Sequence, residues 1–70
     1  MQKRELTTPE ILKEALRREN EARDFYGELA ASCHIDFVKE LLERLKNEES
    51  RHVRWVQDMI TRLNAGKDVV

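Results

Sequence analysis

A stripe of apolar residues at helical spacing runs through the second half of the chain and is interrupted at two positions. Glu49 and His52 fill those two positions. The apolar members of the stripe are Val38, Leu42, Leu45, Val56, Met59 and Leu63. Burying an unpaired polar group costs roughly 2–7 kcal/mol, and burying a charge costs more. Glu49 and His52 are three residues apart and share one helix face, so the pattern predicts that together they hold a metal ion.

The composition limits the chain to one small helical domain. Seventy residues form a core that is marginal on its own. The sequence has 39% charged residues, 6% aromatic residues, two glycines and one proline, which favours long amphipathic helices over sheet. A net charge of −1 gives no reason to expect nucleic acid as a partner, and no apolar run approaches the roughly 18–20 residues of a membrane span. With no secretory segment either, we expect a cytoplasmic protein without a membrane partner.

The first half of the chain predicts a helix over about residues 8–32. Two helix starts fit the sequence: Thr8 as the cap with Pro9 in the first turn, or Thr7 paired with Glu10 in a capping box. Beyond this start, one residue of the predicted stripe recurs every three or four positions, so the helix has one face suited to burial. The members of this stripe are Leu12, Ala15, Leu16, Glu19, Ala22, Tyr26, Leu29 and Cys33.

The sequence predicts a turn over about residues 33–36, which would fold the chain into an antiparallel hairpin. The second helix is predicted over about residues 36–65, with Gly66 at its end. Residues 30–36 contain neither Gly nor Pro, so one continuous helix remains the alternative. Symmetry favours the hairpin. Glu19 and Glu49 each lie fifteen residues from position 34, so folding there brings both acids to one depth, roughly 22 Å from the turn. In a straight helix they would be about 45 Å apart.

Two helices cannot bury two apolar stripes well, so we expect two hairpins to pair about a twofold axis into a four-helix bundle. One chain offers Glu19, Glu49 and His52, and a dimer doubles that set to four carboxylates and two histidines. Dinuclear carboxylate bundles use this set of ligands, with a Glu from each of two helices and Glu-x-x-His from each of the other two. Oxygen and imidazole ligands suit iron or manganese, and zinc can compete.

The spacing of five residues resembles a known group of proteins. An acid at Glu19 is followed by Ala22, three residues later, and by Tyr26, seven residues later; Glu49-x-x-His52 follows about thirty residues on. This pattern is similar to that of the ferritin-like superfamily and is closest to its rubrerythrin-type and encapsulated-ferritin branches. The resemblance covers roughly residues 10–64. One departure is Arg18, at a position where encapsulated ferritins tend to have an acid.

The resemblance implies a di-iron protein with ferroxidase-like activity, an oxidoreductase that oxidises Fe(II) with dioxygen or peroxide in iron handling or storage. In encapsulated ferritins, half-bundles pair and form the iron-oxidising centre at the subunit interface. Carried over, Glu19, Glu49 and His52 would be the catalytic iron ligands, with two irons per dimer, and Tyr26 would place a hydroxyl close to them. The implied partners are a second copy, in a homodimer or higher even oligomer, and an encapsulin-type shell that would place the protein inside a nanocompartment. Iron storage and peroxide removal both remain open.

Two alternatives use the same residues differently. A non-catalytic helical dimer could act as an interaction or shell-cargo module, and a zinc ion could hold the bundle statically. We expect Trp55 and Phe25 to pack between hairpins. We expect Glu21 and Glu48 to be solvated or ion-paired residues that flank the ligands. We expect His34 to be an exposed residue of the turn and Cys33 to act as a small apolar side chain.

Overall fold

The computed structural model is a two-helix hairpin; it describes the backbone of residues 5–69 and the side chains of residues 5–66. Helix α1 spans Thr8–Ser32 and helix α2 spans Asp36–Val69, and the described residues include no strand. Glu19 faces His52 while Gly27 faces Lys46, so the two helices run antiparallel. The predicted all-α hairpin is confirmed, and the single continuous helix is excluded.

The start of α1 has the capping box that was one of the two predicted alternatives. Thr7 is the N-cap, and its side chain accepts a hydrogen bond from the backbone N–H of Glu10. The Glu10 carboxylate in turn accepts from the N–H of Thr7 at 2.9 Å. Two N–H groups that the helix itself leaves without partners are thereby satisfied, and Pro9 fits in the first turn because its missing N–H is not needed there.

The chain reverses over residues 33–35 without glycine or proline. Cys33 ends α1 in an extended conformation, and its backbone N–H donates to the carbonyl of Ala30 at 3.3 Å. Helix α2 then begins at once: the N–H of Lys39 donates to the carbonyl of Ile35 at 2.9 Å. Asp36 places a negative charge in the first turn of α2, where the helix dipole stabilises it. No described residue other than glycine has a positive φ, so the turn uses ordinary backbone conformations.

The end of α2 differs from the sequence prediction. Gly66 was expected to end the helix near residue 65, but α2 continues through it to Val69. Gly66 has no positive φ, and a Cβ added to it would meet nothing within 4 Å. A single glycine costs a helix only about 1 kcal/mol relative to alanine, so it allows a C-terminal cap without enforcing one. Among the described residues, neither helix contains a stretch long and apolar enough to cross a membrane.

The hairpin buries very little of its apolar surface. Only Ala30 and Val53 are fully buried hydrophobic residues in the described part of the chain. Leu29 and Met59, which the stripes predicted to be inside, are exposed. The reason is that each helix packs against only one other helix. The line along which the two helices touch, which we call the contact line, covers the centre of a wide apolar stripe and leaves the edge of the stripe in solvent.

The exposed apolar residues of the helices form a second surface, which we call the open face. By helical periodicity its α1 and α2 members lie to the same side of the line where the helices touch. Its members are Ile11, Phe25, Leu29, Phe37, Leu41, Trp55 and Met59, all of them exposed. A monomer rarely leaves so much contiguous apolar surface in water unless something binds there.

Candidate metal centre

Three side chains from the two helices converge beside the contact line. Glu19 comes from α1, and Glu49 and His52 come from successive turns of α2. The Nδ1 atom of His52 lies 3.2 Å from Oε2 of Glu19 and 3.4 Å from Oε2 of Glu49. One ligand atom from each residue lies within 4.8 Å of the other two. Glu19 and Glu49 each lie fifteen residues from position 34 and were predicted to lie at the same distance from the turn. The hairpin brings these two acids together.

These separations fit a single ion. Ligand atoms about 2.1 Å from a first-row divalent ion, at angles of 90–110°, lie roughly 3.0–3.4 Å from each other. The two measured distances from Nδ1 of His52 match that interval. The set is also chemically suitable, because two carboxylates and one imidazole are ligands for iron, manganese or zinc. Of the described residues, these three are the group of acids, histidines and cysteines whose geometry could hold a metal ion.

The cluster is half-buried rather than enclosed. The exposed fraction of the side chain is 20% for Glu49, 30% for Glu19 and 39% for His52. The ligand atoms are therefore shielded by the helices on one side and reachable from the open face on the other.

The two acids of the cluster affect each other's ionisation. The hydrogen bond between the Glu49 and Glu19 carboxyls, together with burial and the negative charge of Glu19, raises the pKa of Glu49; His52 opposes this shift. Two carboxylates in contact cannot both ionise freely, so one retains its proton to a higher pH. A divalent cation would replace that proton and remove the repulsion. The site thus has the donor atoms of a metal site, with two carboxyl groups beside a single imidazole.

Comparison with known families agrees with this geometry. A sequence model of the rubrerythrin family matches residues 10–70, which include all three clustered side chains. The chain belongs to the rubrerythrin family. No curated protein and no solved structure matches it.

Rubrerythrin-family proteins generally bind iron, and the match points to a di-iron carboxylate protein. The donor set of this chain fits that group, because Glu19, Glu49 and His52 supply carboxylate oxygen and imidazole nitrogen with no thiolate. Within one hairpin, however, the cluster is half of the dinuclear set, with two carboxylates and one imidazole. Their assignment as the ligands in this rubrerythrin-family chain stays a prediction.

Tyr26 lies outside direct contact with the cluster in the hairpin. It is half-buried on α1, seven residues beyond Glu19, which is a rise of about 10 Å along the helix. Its ring packs against Phe25 with centroids 5.5 Å apart. Within the described residues, no hydrogen bond joins the Tyr26 hydroxyl to the cluster. The predicted role of Tyr26 close to the ligands also stays a prediction.

One neighbour of the cluster was missed by sequence reasoning. The ring of Trp55 contacts the ring of His52, with centroids 5.2 Å apart. We expected Trp55 to pack between hairpins, and its spacing of three residues after His52 indicated only that the two residues are neighbours on one helix face. The flanking residues behave as expected: Glu21 pairs with Arg17, while Glu48 and His34 are exposed.

Proposed function

We propose that the chain is a di-iron protein of ferroxidase type whose metal centre forms between two copies of the hairpin. The observation that carries this proposal is the convergence of Glu19, Glu49 and His52, with Nδ1 of His52 at 3.2 and 3.4 Å from the two carboxylates. Membership of the rubrerythrin family supports iron as the metal. In such a protein, Fe(II) would be oxidised by dioxygen or peroxide as part of iron handling or storage.

The number of ligands supports a second copy. A dinuclear carboxylate bundle uses four carboxylates and two histidines. One hairpin supplies two carboxylates and one histidine in a single cluster. Two hairpins related by a twofold axis would supply the full set, and four carboxylates would balance the charge of two divalent ions. A homodimer, or a higher even oligomer built from such dimers, is therefore the proposed working unit.

The open face supports the same arrangement. It lies on the side of the hairpin from which the cluster is accessible, and Trp55 connects the two, being part of the open face while touching His52. Pairing two open faces would bury apolar side chains at about 25 cal/mol for each Å² removed from water. The same pairing would complete the ligand set. Assembly and metal binding would thus stabilise each other.

The residues of the chain have separate tasks in this scheme. Glu19 and Glu49 would hold the metal through carboxylate oxygen atoms and supply negative charge, and His52 would offer the lone pair of Nδ1. The bound Fe(II) ions would supply the redox chemistry, each giving one electron to dioxygen or peroxide. The helices fix the spacing of the ligands, and burial against α1 shields Glu49 from bulk water.

An anaerobic Fe(II) titration, with native mass recorded at each step before air is admitted, tests the proposal. We expect saturation near one iron per chain, even-numbered assemblies and a rise in absorbance in air. Glu49→Ala and His52→Ala should abolish iron oxidation while the helices remain. Glu48→Ala is the matched control, because Glu48 is the adjacent but exposed acid. Oxidation at the parent rate in the Glu49 or His52 variants would refute the assigned site.

A second candidate function has its own supporting observation, the size of the open face. A helical dimer without metal chemistry, acting as an interaction module or as cargo of an encapsulin-type shell inside a nanocompartment, would also cover these residues. The same titration separates the candidates. An even oligomer that binds no iron would favour the interaction module, and a metal-loaded dimer with no change in air would favour a static zinc site.

A further inference from the structure

We propose that Trp55 is a positioning residue, whose indole ring holds the plane of the His52 imidazole so that its Nδ1 edge can face Glu19 and Glu49. The centroids of the two rings are 5.2 Å apart and their planes are inclined by 31°. Both residues lie on α2, three positions apart, so the contact is built into one helix. As far as metal binding is concerned, this inference rests on the proposed function.

The plane of the His52 ring is only loosely held by its own torsion. The final torsion of a histidine side chain is broad and roughly two-fold. Rotating the ring out of its present plane would turn Nδ1 away from the carboxylates, and an indole packed on the ring opposes that rotation. With 39% of the His52 side chain exposed, packing against α1 covers only part of the ring. A ring that samples other planes would offer its ligand nitrogen for only part of the time.

The contacts with the carboxylates cannot provide this orientation when a metal ion is bound. They are made by Nδ1 itself, at 3.2 Å to Glu19 and 3.4 Å to Glu49. A metal ion would use that same nitrogen atom. Trp55 instead touches the ring of His52 and leaves its nitrogen free. The contact is therefore compatible with the metal-free state and with the metal-bound state.

Stability of the single hairpin does not account for Trp55. Its side chain is 56% exposed, so most of the indole contributes nothing to packing between α1 and α2. Long side chains on a helix lean back toward its N-terminus, which places Trp55 over the turn that contains His52. Ile35 is a suitable comparison, because it is an exposed apolar residue in the turn between the helices, outside the open face. It has no ring with which to contact a histidine.

The experiment compares Trp55→Leu with Trp55→Phe and Ile35→Ala. Leucine keeps an apolar side chain without a ring, and phenylalanine restores a ring. In the metal-free protein, NMR records the ring-current shift of the His52 imidazole protons. In an anaerobic Co(II) titration, visible absorption gives the affinity, and native mass confirms that all variants have the same assembly.

We expect Trp55→Leu to lose the ring-current shift and to weaken Co(II) binding by about three- to tenfold, the scale of one aromatic contact. Trp55→Phe should recover most of both effects, and Ile35→Ala should change neither. Equal Co(II) affinity in Trp55→Leu and the parent would overturn the positioning role, and so would a loss of affinity without any change in the His52 resonances. Absence of Co(II) binding by the parent protein would instead overturn the proposed function. The NMR arm tests the ring contact independently of that result.

Discussion

Two groups of acidic side chains in this hairpin differ in the source of their positive partner. On the outer surface of α1, Arg17 pairs with both Glu14 and Glu21. Hydrogen bonding from Arg17 is the main cause that lowers the pKa of Glu14. Between the helices, the corresponding contact of Glu49 is another carboxyl, that of Glu19, and the pKa of Glu49 is raised. The surface acids are neutralised by the chain itself, whereas the basic partner of the inner acids among the described residues is His52 alone.

This difference separates the acids that the chain itself neutralises from the acids that are suited to bind an external cation. All four acids are glutamates on amphipathic helices. Residue type therefore does not distinguish the surface pair, Glu14 and Glu21, from the inner pair, Glu19 and Glu49. Position does: an exposed acid can find an arginine one turn away, at i+3 or i+4. An acid at the contact between helices faces the other helix, and here that helix supplies a second acid and an imidazole. The inner group is thus suited to a metal ion, and the outer group is not.

The largest predicted effect is on metal affinity. Glu19→Gln and Glu49→Gln should each weaken Mn(II) binding by more than about 100-fold, because even an outer-shell partner of a ligand contributes 10–100-fold. Glu14→Gln and Glu21→Gln remove the same charge from the surface and should leave the affinity unchanged. Electron paramagnetic resonance of free Mn(II) measures all four variants. Equal losses in both groups would mean that overall charge, and not the cluster, attracts the ion.

The next effect is on thermal stability in the presence of metal. At a free metal concentration of about 100 times Kd, binding stabilises the folded form by about 2.7 kcal/mol. For a domain of this size, that corresponds to a rise in Tm of roughly 10–20 °C. Circular dichroism melts at one fixed protein concentration, with Mn(II) or with a chelator, would measure this difference. Glu21→Gln should keep the rise and Glu49→Gln should lose it; a similar rise in both would place the ion elsewhere.

The two groups should also respond to pH with opposite signs. The folded state holds the proton of Glu49 more tightly than the unfolded state, so stability of the metal-free protein should fall as pH rises from the ordinary carboxyl pKa through the raised one. The pKa of Glu14 is lowered, so its contribution should be present above the ordinary pKa and lost as pH falls through the lowered one.

Denaturant unfolding across this pH range, in a chelating buffer, tests the sign. Glu49→Gln should remove the decline and stabilise the metal-free protein near neutral pH by a few tenths of a kcal/mol, the scale of a like-charge pair. Glu14→Gln should leave the decline in place. A decline that persists in Glu49→Gln would mean that another group carries it.

Much of this comparison could be predicted from the sequence, because helical periodicity determines which face a residue occupies. The fifteen-residue spacing of Glu19 and Glu49 from position 34 predicted their convergence, and the Thr7–Glu10 pattern predicted a capping box that the structure contains. Periodicity does not determine how far a wide stripe is covered when a helix has one neighbour. That is why Leu29 was expected inside and is exposed.

Features decided by weak local preferences were harder to predict. Gly66 permits a helix end but does not require one, and α2 continues past it. The contact between Trp55 and His52 depends on the direction in which each ring leaves the helix. Spacing alone showed that the two residues are neighbours, and it could not show that their rings touch.

The smallest predicted effect comes from removing the cation of the surface group. Arg17→Met should raise the pKa of Glu14 back toward its ordinary value, because the hydrogen bond from Arg17 is the main cause of its lowering. Tm should hardly change, since ion pairs between exposed side chains gain little over solvated ions. Lys13→Met, which removes the same charge from an exposed residue of α1, is the matched control.

NMR titration of the Glu14 carboxyl, together with a melt and a Mn(II) titration, measures the three quantities in the same variant. We expect a shifted Glu14 titration with unchanged metal affinity. A large fall in Tm or in Mn(II) affinity for Arg17→Met, but not for Lys13→Met, would show that the surface acids and the inner acids are coupled through α1. The distinction between a group neutralised by the chain and a group that requires an ion would then fail, because one arginine would serve both.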